Sequence, residues 1–399
     1  MEPATKTKLK EMFSKVPEVT LYFWIIKVLC TTVGETAADY LNVNLNFGLT
    51  LTSIVIGVML FIALIFQFKS KKYVPGIYWL SVFLISIFGT LVTDNLTDFM
   101  GVPLELSTIV FSVLLGLTFA VWYAREKTLS IHSIHTWQRE SFYWLAILFT
   151  FALGTAAGDL MAEGLGLGYF VTGLIICGLI ISVIIVWKLK LDKVLAFWIA
   201  YILTRPLGAS IGDYLSQSPA YGGLGLGPTI TSALFIFAIT VTVIYLSISK
   251  KDQISKPIEH EITNAKQSFV IWQVVGVVLL LVVLGGVGYA VRHSQIQGSI
   301  KDTTVSLGDL SEFKKISQDT LSLVQAGKLK DAKTRISDLE SAWDNSESKL
   351  KPLNPTDWST IDGSIDKVLR QLRAFQPDAK KSEDSLVSLL DILNSIDNK

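Results

Sequence analysis

Apolar stretches of about 20 residues, the length that crosses a bilayer as a helix, recur through the first three quarters of the chain. In the last quarter apolar positions return every third or fourth residue instead. Ala332, Ile336, Leu339 and Trp343 form one such run, and Trp358, Ile361, Ile365, Val368 and Leu372 another, with Pro352, Pro355 and Pro377 as punctuation. That period belongs to helices with one dry face. The pattern therefore predicts membrane helices followed by a small bundle of three or four water-facing helices.

The apolar part repeats itself. The spacing W-x9-G-x4-D occurs four times: Trp24, Gly34, Asp39; Trp79, Gly89, Asp94; Trp144, Gly154, Asp159; Trp198, Gly208, Asp213. Glycine is about 7% of ordinary usage and Asp is scarce in apolar segments, so internal duplication is the economical cause. Each unit reads as a helix A ending near its Asp, a connector rich in Gly, Pro or Asn, an apolar helix B and a basic loop. The fold class is an all-α polytopic membrane protein of four parallel two-helix repeats. A ring or a paired arrangement of hairpins about a shared axis is the packing expected. The glycines are read as close-packing positions between helices, and the tryptophans as anchors at the membrane interface.

Composition narrows the function classes. Half of the 399 residues are apolar, 17% are charged and the mean hydropathy is +0.48, which excludes a single soluble core. A net charge of +1 excludes the basic face a nucleic-acid binder needs. Cys30 and Cys177 both fall in apolar segments, so neither a disulfide framework nor a thiolate cluster is indicated.

The loops after each helix B are rich in Lys and Arg, as is the N-terminal segment, whereas the connectors within repeats contain neither. The positive-inside rule then predicts a cytoplasmic N-terminus and outward connectors. The expected organisation is a cytoplasmic segment 1–18 and a four-repeat domain 19–250, with units at about 19–72, 73–137, 138–192 and 193–250. A cytoplasmic linker 251–267, a ninth span 268–292 and an extracytoplasmic helical domain 293–399 follow. The polar start runs directly into a full-length span, which is not the pattern of a cleavable signal.

Chemistry concentrates on the acids. Three repeats place a second carboxylate four residues from another: Glu35 with Asp39, Asp94 with Asp98, and Asp159 with Glu163. On an α-helix that offset puts both on one face, where they repel and pay for leaving water. A bound cation or protonation relieves those costs, and both belong to a cation pathway. The fourth repeat has Ala209 and Gln217 at the companion positions and carries Arg205 two turns before Asp213. Arg205 is therefore expected to be an electrostatic brace, pairing with an acid from a neighbouring hairpin. The competing use of the repeat Asp is to cap backbone N–H groups at the start of helix B.

Carboxylates, Thr hydroxyls and backbone carbonyls are hard donors suited to Mn²⁺, Mg²⁺, Ca²⁺ or a monovalent ion. His132, His135, His260 and His293 all fall outside the spans, which disfavours zinc or copper. The two GLGLG runs lack the Lys and the strand-helix setting of a phosphate loop.

The segments GETAADYL at 34–41, GTAAGDL at 154–160 and RPLGASIGDYL at 205–215 are similar to those of a bacterial family of membrane-anchored proteins built from a repeated domain of unknown function. The resemblance covers about three fifths of the chain and implies a bacterial inner-membrane protein of many spans. It implies no activity.

The residues themselves predict a transporter for a small cation, with a divalent metal such as manganese exchanged against protons as the finer expectation. Glu35, Asp39, Asp94, Asp98, Asp159, Glu163 and Asp213 would form the cation or proton site. Lipid, the ion and protons are the expected partners, with the metal as substrate and no cofactor. No nucleophile-base pair supports an enzyme. The alternative is a membrane sensor or scaffold that binds a protein through its outer bundle.

Overall fold

The computed structural model describes residues 14–41, 48–100, 102–165, 167–217, 223–253, 307–351, 353–373 and 377–397. The expected ninth span lies outside them. Eight helices are long and apolar enough to cross a membrane: α1 (Leu21–Asp39), α2 (Gly48–Lys69), α3 (Pro75–Asp94), α4 (Leu104–Glu126), α5 (Trp137–Asp159), α6 (Gly168–Lys188), α7 (Lys193–Ser216) and α8 (Gly227–Ser249). Their starts are chemically marked. The Thr20 and Thr136 hydroxyls and the Asp192 carboxylate accept backbone N–H groups of the first turns, and Pro75 and Pro228 occupy early positions where their missing N–H costs nothing.

The odd-numbered helices form an inner ring and the even-numbered ones an outer layer. Between 56% and 67% of each inner span is buried, against 11% to 28% of each outer one, so the protein core is built from the A helices. The ring closes: α1 packs on α3, α3 on α5, α5 on α7 and α7 on α1. Each outer helix packs chiefly on the inner helix of the next repeat: α2 on α3, α4 on α5, α6 on α7, and α8 back on α1. Repeats are thus interlocked.

The repeat glycines make the ring possible. A Cβ on Gly34 would lie 2.0 Å from Ser86 Oγ, and one on Gly89 2.7 Å from Phe151 Cβ. On Gly154 it would lie 2.6 Å from Arg205 Cβ, and on Gly208 2.0 Å from Thr31 Oγ1. In every case the neighbour is the residue three before the glycine of the next repeat. The interhelical contact therefore repeats four times and closes on itself.

The tryptophans are placed differently from the sequence expectation. Trp79, Trp144 and Trp198 are 2%, 3% and 4% exposed, enclosed by protein rather than set among lipid head groups, while Trp24 is partly buried. They join Phe23, Tyr78, Tyr143 and Tyr201 in an aromatic layer at one end of the ring. Among the described residues, Trp137 and Trp187, outside the repeat pattern, are the exposed tryptophans at that end.

A seam ties this end together. Lys15, in a buried stretch before α1, donates from Nζ to Glu140 Oε2 at 2.6 Å and to the Phe68 carbonyl at 2.9 Å, and Gln67 donates to Glu140 Oε1 at 3.0 Å. The Tyr73 hydroxyl donates to Asp252 Oδ2 at 2.5 Å, while Asp252 Oδ1 has no partner among the described residues. Burial pushes the Asp252 carboxyl above the ordinary carboxylate range, and Tyr73's hydrogen bond only partly opposes it. The folded state therefore binds this proton more tightly than the unfolded chain. Ionised Asp252 opposes folding above its raised pKa, and that opposition fades as pH falls through it. Asp252→Asn is expected to unfold at a higher temperature than wild type at about pH 7, with the difference closing on acidification. Thermal unfolding followed across pH checks this, and a pH-independent difference would contradict it.

In the C-terminal region, α9 (Ser311–Gln325), α10 (Leu329–Leu350), α11 (Pro355–Leu372) and α12 (Ala379–Asp397) form a four-helix bundle. Its core contains Trp343 stacked on Trp358 at 3.8 Å with the edge of Phe313 against it.

Candidate functional site

Inside the ring, residues at four-residue intervals fall on the face of each A helix that looks toward the axis. The four stripes read Thr31, Glu35, Asp39; Ser86, Thr90, Asp94; Phe151, Thr155, Asp159; and Arg205, Ala209, Asp213. Their centre is Arg205, which is fully buried. Its Nη2 donates to Glu35 Oε2 at 2.6 Å, to Thr155 Oγ1 at 2.8 Å and to Thr90 Oγ1, and its Nη1 to the Thr31 carbonyl at 3.3 Å. Glu35, Thr90 and Thr155 each follow the repeat glycine directly. Three repeats thus send the same position to a cation supplied by the fourth, where Ala209 occupies that position and leaves space.

The backbone around Arg205 is adapted to this. Pro206 removes one helix donor beside it, and its ring lies against Gly154 and Gly158, where a Cβ would meet Pro206 at 3.0 and 3.3 Å. The Thr31 hydroxyl donates to the Thr204 carbonyl at 3.1 Å, fastening α1 to α7 at the same level.

One turn beyond this pair come the repeat aspartates. Asp213 is 7% exposed and interacts electrostatically with Glu35, Asp39, Asp159 and Arg205. Asp39, Asp94 and Asp159 are partly buried. The axial half at this aspartate end is acidic, with Arg205 at its floor.

The second acids expected beside Asp94 and Asp159 are Asp98 and Glu163. After Asp94 and Asp159 the backbone enters π-helical turns, Asn95–Phe99 and Leu160–Gly164. The side chains of Asp98 and Glu163 lie outside the described residues. Asn95 uses the first of these turns to donate to Ser53 Oγ at 2.9 Å, linking α3 to the start of α2.

Among the described residues, no group of three or more His, Cys, Asp or Glu side chains is gathered closely enough to hold a metal ion. A cavity of about 460 Å³ between α1, α2, α3 and α8 is lined chiefly by apolar groups such as Ile56, Met59, Phe83 and Ile87, and does not include the axial acids.

Sequence reasoning passed over several polar groups on the axis. Thr90 and Thr155 carried a signal, since each aligns with Glu35 one residue after the repeat glycine. Lys27, one turn from Thr31, was visible as a lone cation in an apolar span. The hydroxyl pair of Tyr78 and Tyr143, 2.5 Å apart, had no such signal because Tyr fits an apolar pattern.

Ring, interlocked outer helices and axial charges define a four-repeat, all-α membrane protein. The family described as Repeat of Unknown Function (DUF347) matches residues 22–73, 77–128, 142–190 and 196–252, more than half of the chain, and the chain belongs to that family. No curated protein and no solved structure matches it.

Proposed function

We propose that the four-repeat domain transports a small cation in exchange for protons, with Glu35, Asp39, Asp159 and Asp213 as working acids and Arg205 as a tethered counter-ion. The observation that carries the reading is the buried Arg205–Glu35 pair at the meeting point of all four repeats, next to Asp213, which interacts with both members of the pair and with Asp39 and Asp159. A buried ion pair seldom stabilises a fold more than apolar packing does, and charges kept inside a membrane domain mark ion pathways. A cation entering from the aspartate end competes with Arg205 for Glu35. Protonation of the acids releases it.

Hard oxygen donors suit Mn²⁺, Mg²⁺, Ca²⁺ or a monovalent ion, and a divalent metal such as manganese exchanged against protons is the finer form of the proposal. Because the acids are not preassembled as a chelate, binding a divalent ion requires Arg205 to leave and the inner helices to close on it. The basic residues Lys15, Lys69, Arg125, Arg139, Lys188 and Lys250 gather at the tryptophan end, which supports a cytoplasmic assignment for that end in a bacterial inner membrane. The C-terminal bundle then lies outside.

The test is uptake by the full-length protein in proteoliposomes carrying a pH gradient, across a panel of Mn²⁺, Mg²⁺, Ca²⁺, Na⁺ and K⁺. Glu35→Gln with Asp213→Asn is expected to abolish pH-driven flux of the transported ion in folded protein. Flux equal to wild type for every ion moved, or no flux from wild type, rejects the reading. A second reading, a sensor or scaffold working through the bundle, is favoured by the contacts of α10 and α11 with the two π-helical turns. Removing residues 293–399 separates the two: a transporter core keeps its flux, and a scaffold loses its phenotype.

A further inference from the structure

The cavity between α1, α2, α3 and α8 lies where the last repeat departs from the other three. Helix B carries a buried hydroxyl near its start in every repeat: Thr52, Ser107, Thr172 and Thr231. Two residues further on, the first three repeats place Ile54, Ile109 and Leu174, whose exposures of 59%, 59% and 57% mark one shared outward-facing position. The fourth repeat has Ala233 there, and Ala233 lines the cavity. The missing aliphatic side chain widens the groove between α8 and α2, where the last repeat meets the first.

The groove has the depth and polarity of one leaflet. Its volume of about 460 Å³ falls in the range of roughly 300–1,000 Å³ that ligand sites occupy. Its hydroxyl-bearing residues, Tyr40, Thr52, Thr229 and Ser232, all lie at the aspartate end, in the first two turns of α2 and α8 or at the end of α1. At the other extreme, Met59 follows the start of α2 at Gly48 by about 16 Å of helix, at 1.5 Å per residue. That is about half of a hydrocarbon core ~30 Å thick. Leu84 and Ile87 form a buried floor, while Met59 and Ile236 are exposed, so the groove opens sideways onto the surface that faces hydrocarbon. An empty apolar groove forfeits dispersion contacts along its walls. A lipid chain matches its length, its polarity gradient and its lateral opening together.

We infer that this groove binds one acyl chain of a phospholipid from the leaflet at the aspartate end, seated behind α1, the helix that carries Glu35 and Asp39. The inference is independent of cation transport, since it concerns the lipid-facing side of the ring and uses none of the axial charges.

The test uses the purified full-length protein in detergent, with dioleoyl phosphatidylglycerol as the probe. Native mass spectrometry counts the phospholipid retained after repeated detergent washing, and the thermal unfolding midpoint is followed as the probe is added back. Wild type is expected to keep phospholipid through the washes and to show a saturable rise in midpoint. Ala233→Ile, which gives the fourth repeat the side chain of the first two, is expected to fold and to lose both responses. Ala120→Ile, the same change at an exposed position of α4, is expected to behave as wild type. Where Ala233→Ile does not fold, Met59→Phe, which fills the midplane end of the groove, decides in its place. No retained phospholipid in wild type, the result that a groove filled by protein or by detergent would give, overturns the inference. So does retention equal to wild type in the folded groove-filling variant, or a loss in Ala120→Ile as large as in that variant.

Discussion

Gly208→Ala is expected to cost the folded protein about 3 kcal/mol or more, the upper end of what overpacking does, while Gly116→Ala leaves it unchanged or stabilises it by up to about 1 kcal/mol. Both substitutions add one methyl to a glycine inside a membrane helix, and helix propensity favours both equally. The difference is the neighbour. At Gly208 the new Cβ meets Thr31 Oγ1 at 2.0 Å, Thr31 Cβ at 2.5 Å and the Thr32 backbone nitrogen at 2.8 Å. A rotamer change moves the hydroxyl but neither of the other two atoms, so α1 and α7 must separate where the first and last repeats join. That separation also breaks the Thr31 hydrogen bond to the Thr204 carbonyl and loosens Arg205 from the Thr31 carbonyl. At Gly116, on outer helix α4, nothing lies within 4 Å. Apparent unfolding midpoints of the two variants, compared with wild type in the same detergent, measure the contrast. Equal midpoints would remove the basis for treating the repeat glycine as the ring's contact point.

The repeat was legible because its signal is periodic along the chain. Trp, Gly and Asp recur at fixed spacing, so the number of units and the parallel course of their helices follow without a structure. The interlocking of α8 with α1 was not legible, because neighbours in a ring need not be neighbours in sequence and apolar outer helices carry no address. The same limit hid the partner of Arg205. Its expected pairing with another hairpin's acid left several candidates, and Glu35 is 170 residues away.

The tryptophans show a different limit. Hydropathy rates lipid and protein interior alike, so Trp79 and Trp144 looked like interfacial anchors when they are core residues.

Arg205→Met should destabilise the protein by about 3–5 kcal/mol, and adding Glu35→Gln should restore most of that loss without restoring flux. The single substitution leaves the Glu35 carboxylate buried without its cation, and the penalty of an uncompensated buried charge is of this size. It also strips the Thr90 and Thr155 hydroxyls of their shared donor, a smaller cost because hydroxyls can turn to helix carbonyls, as both already do. In the double variant nothing ionised remains at the pair, and Met fills much of the volume of Arg. A purely structural brace would then be dispensable. A tethered counter-ion would not, because the acid that must exchange Arg205 for a cation is gone. The combination to look for is therefore a stable, well-folded double variant with no pH-driven ion flux. Stability recovered together with flux would mark Arg205 and Glu35 as scaffold alone and shift the working site outward to Asp39, Asp159 and Asp213.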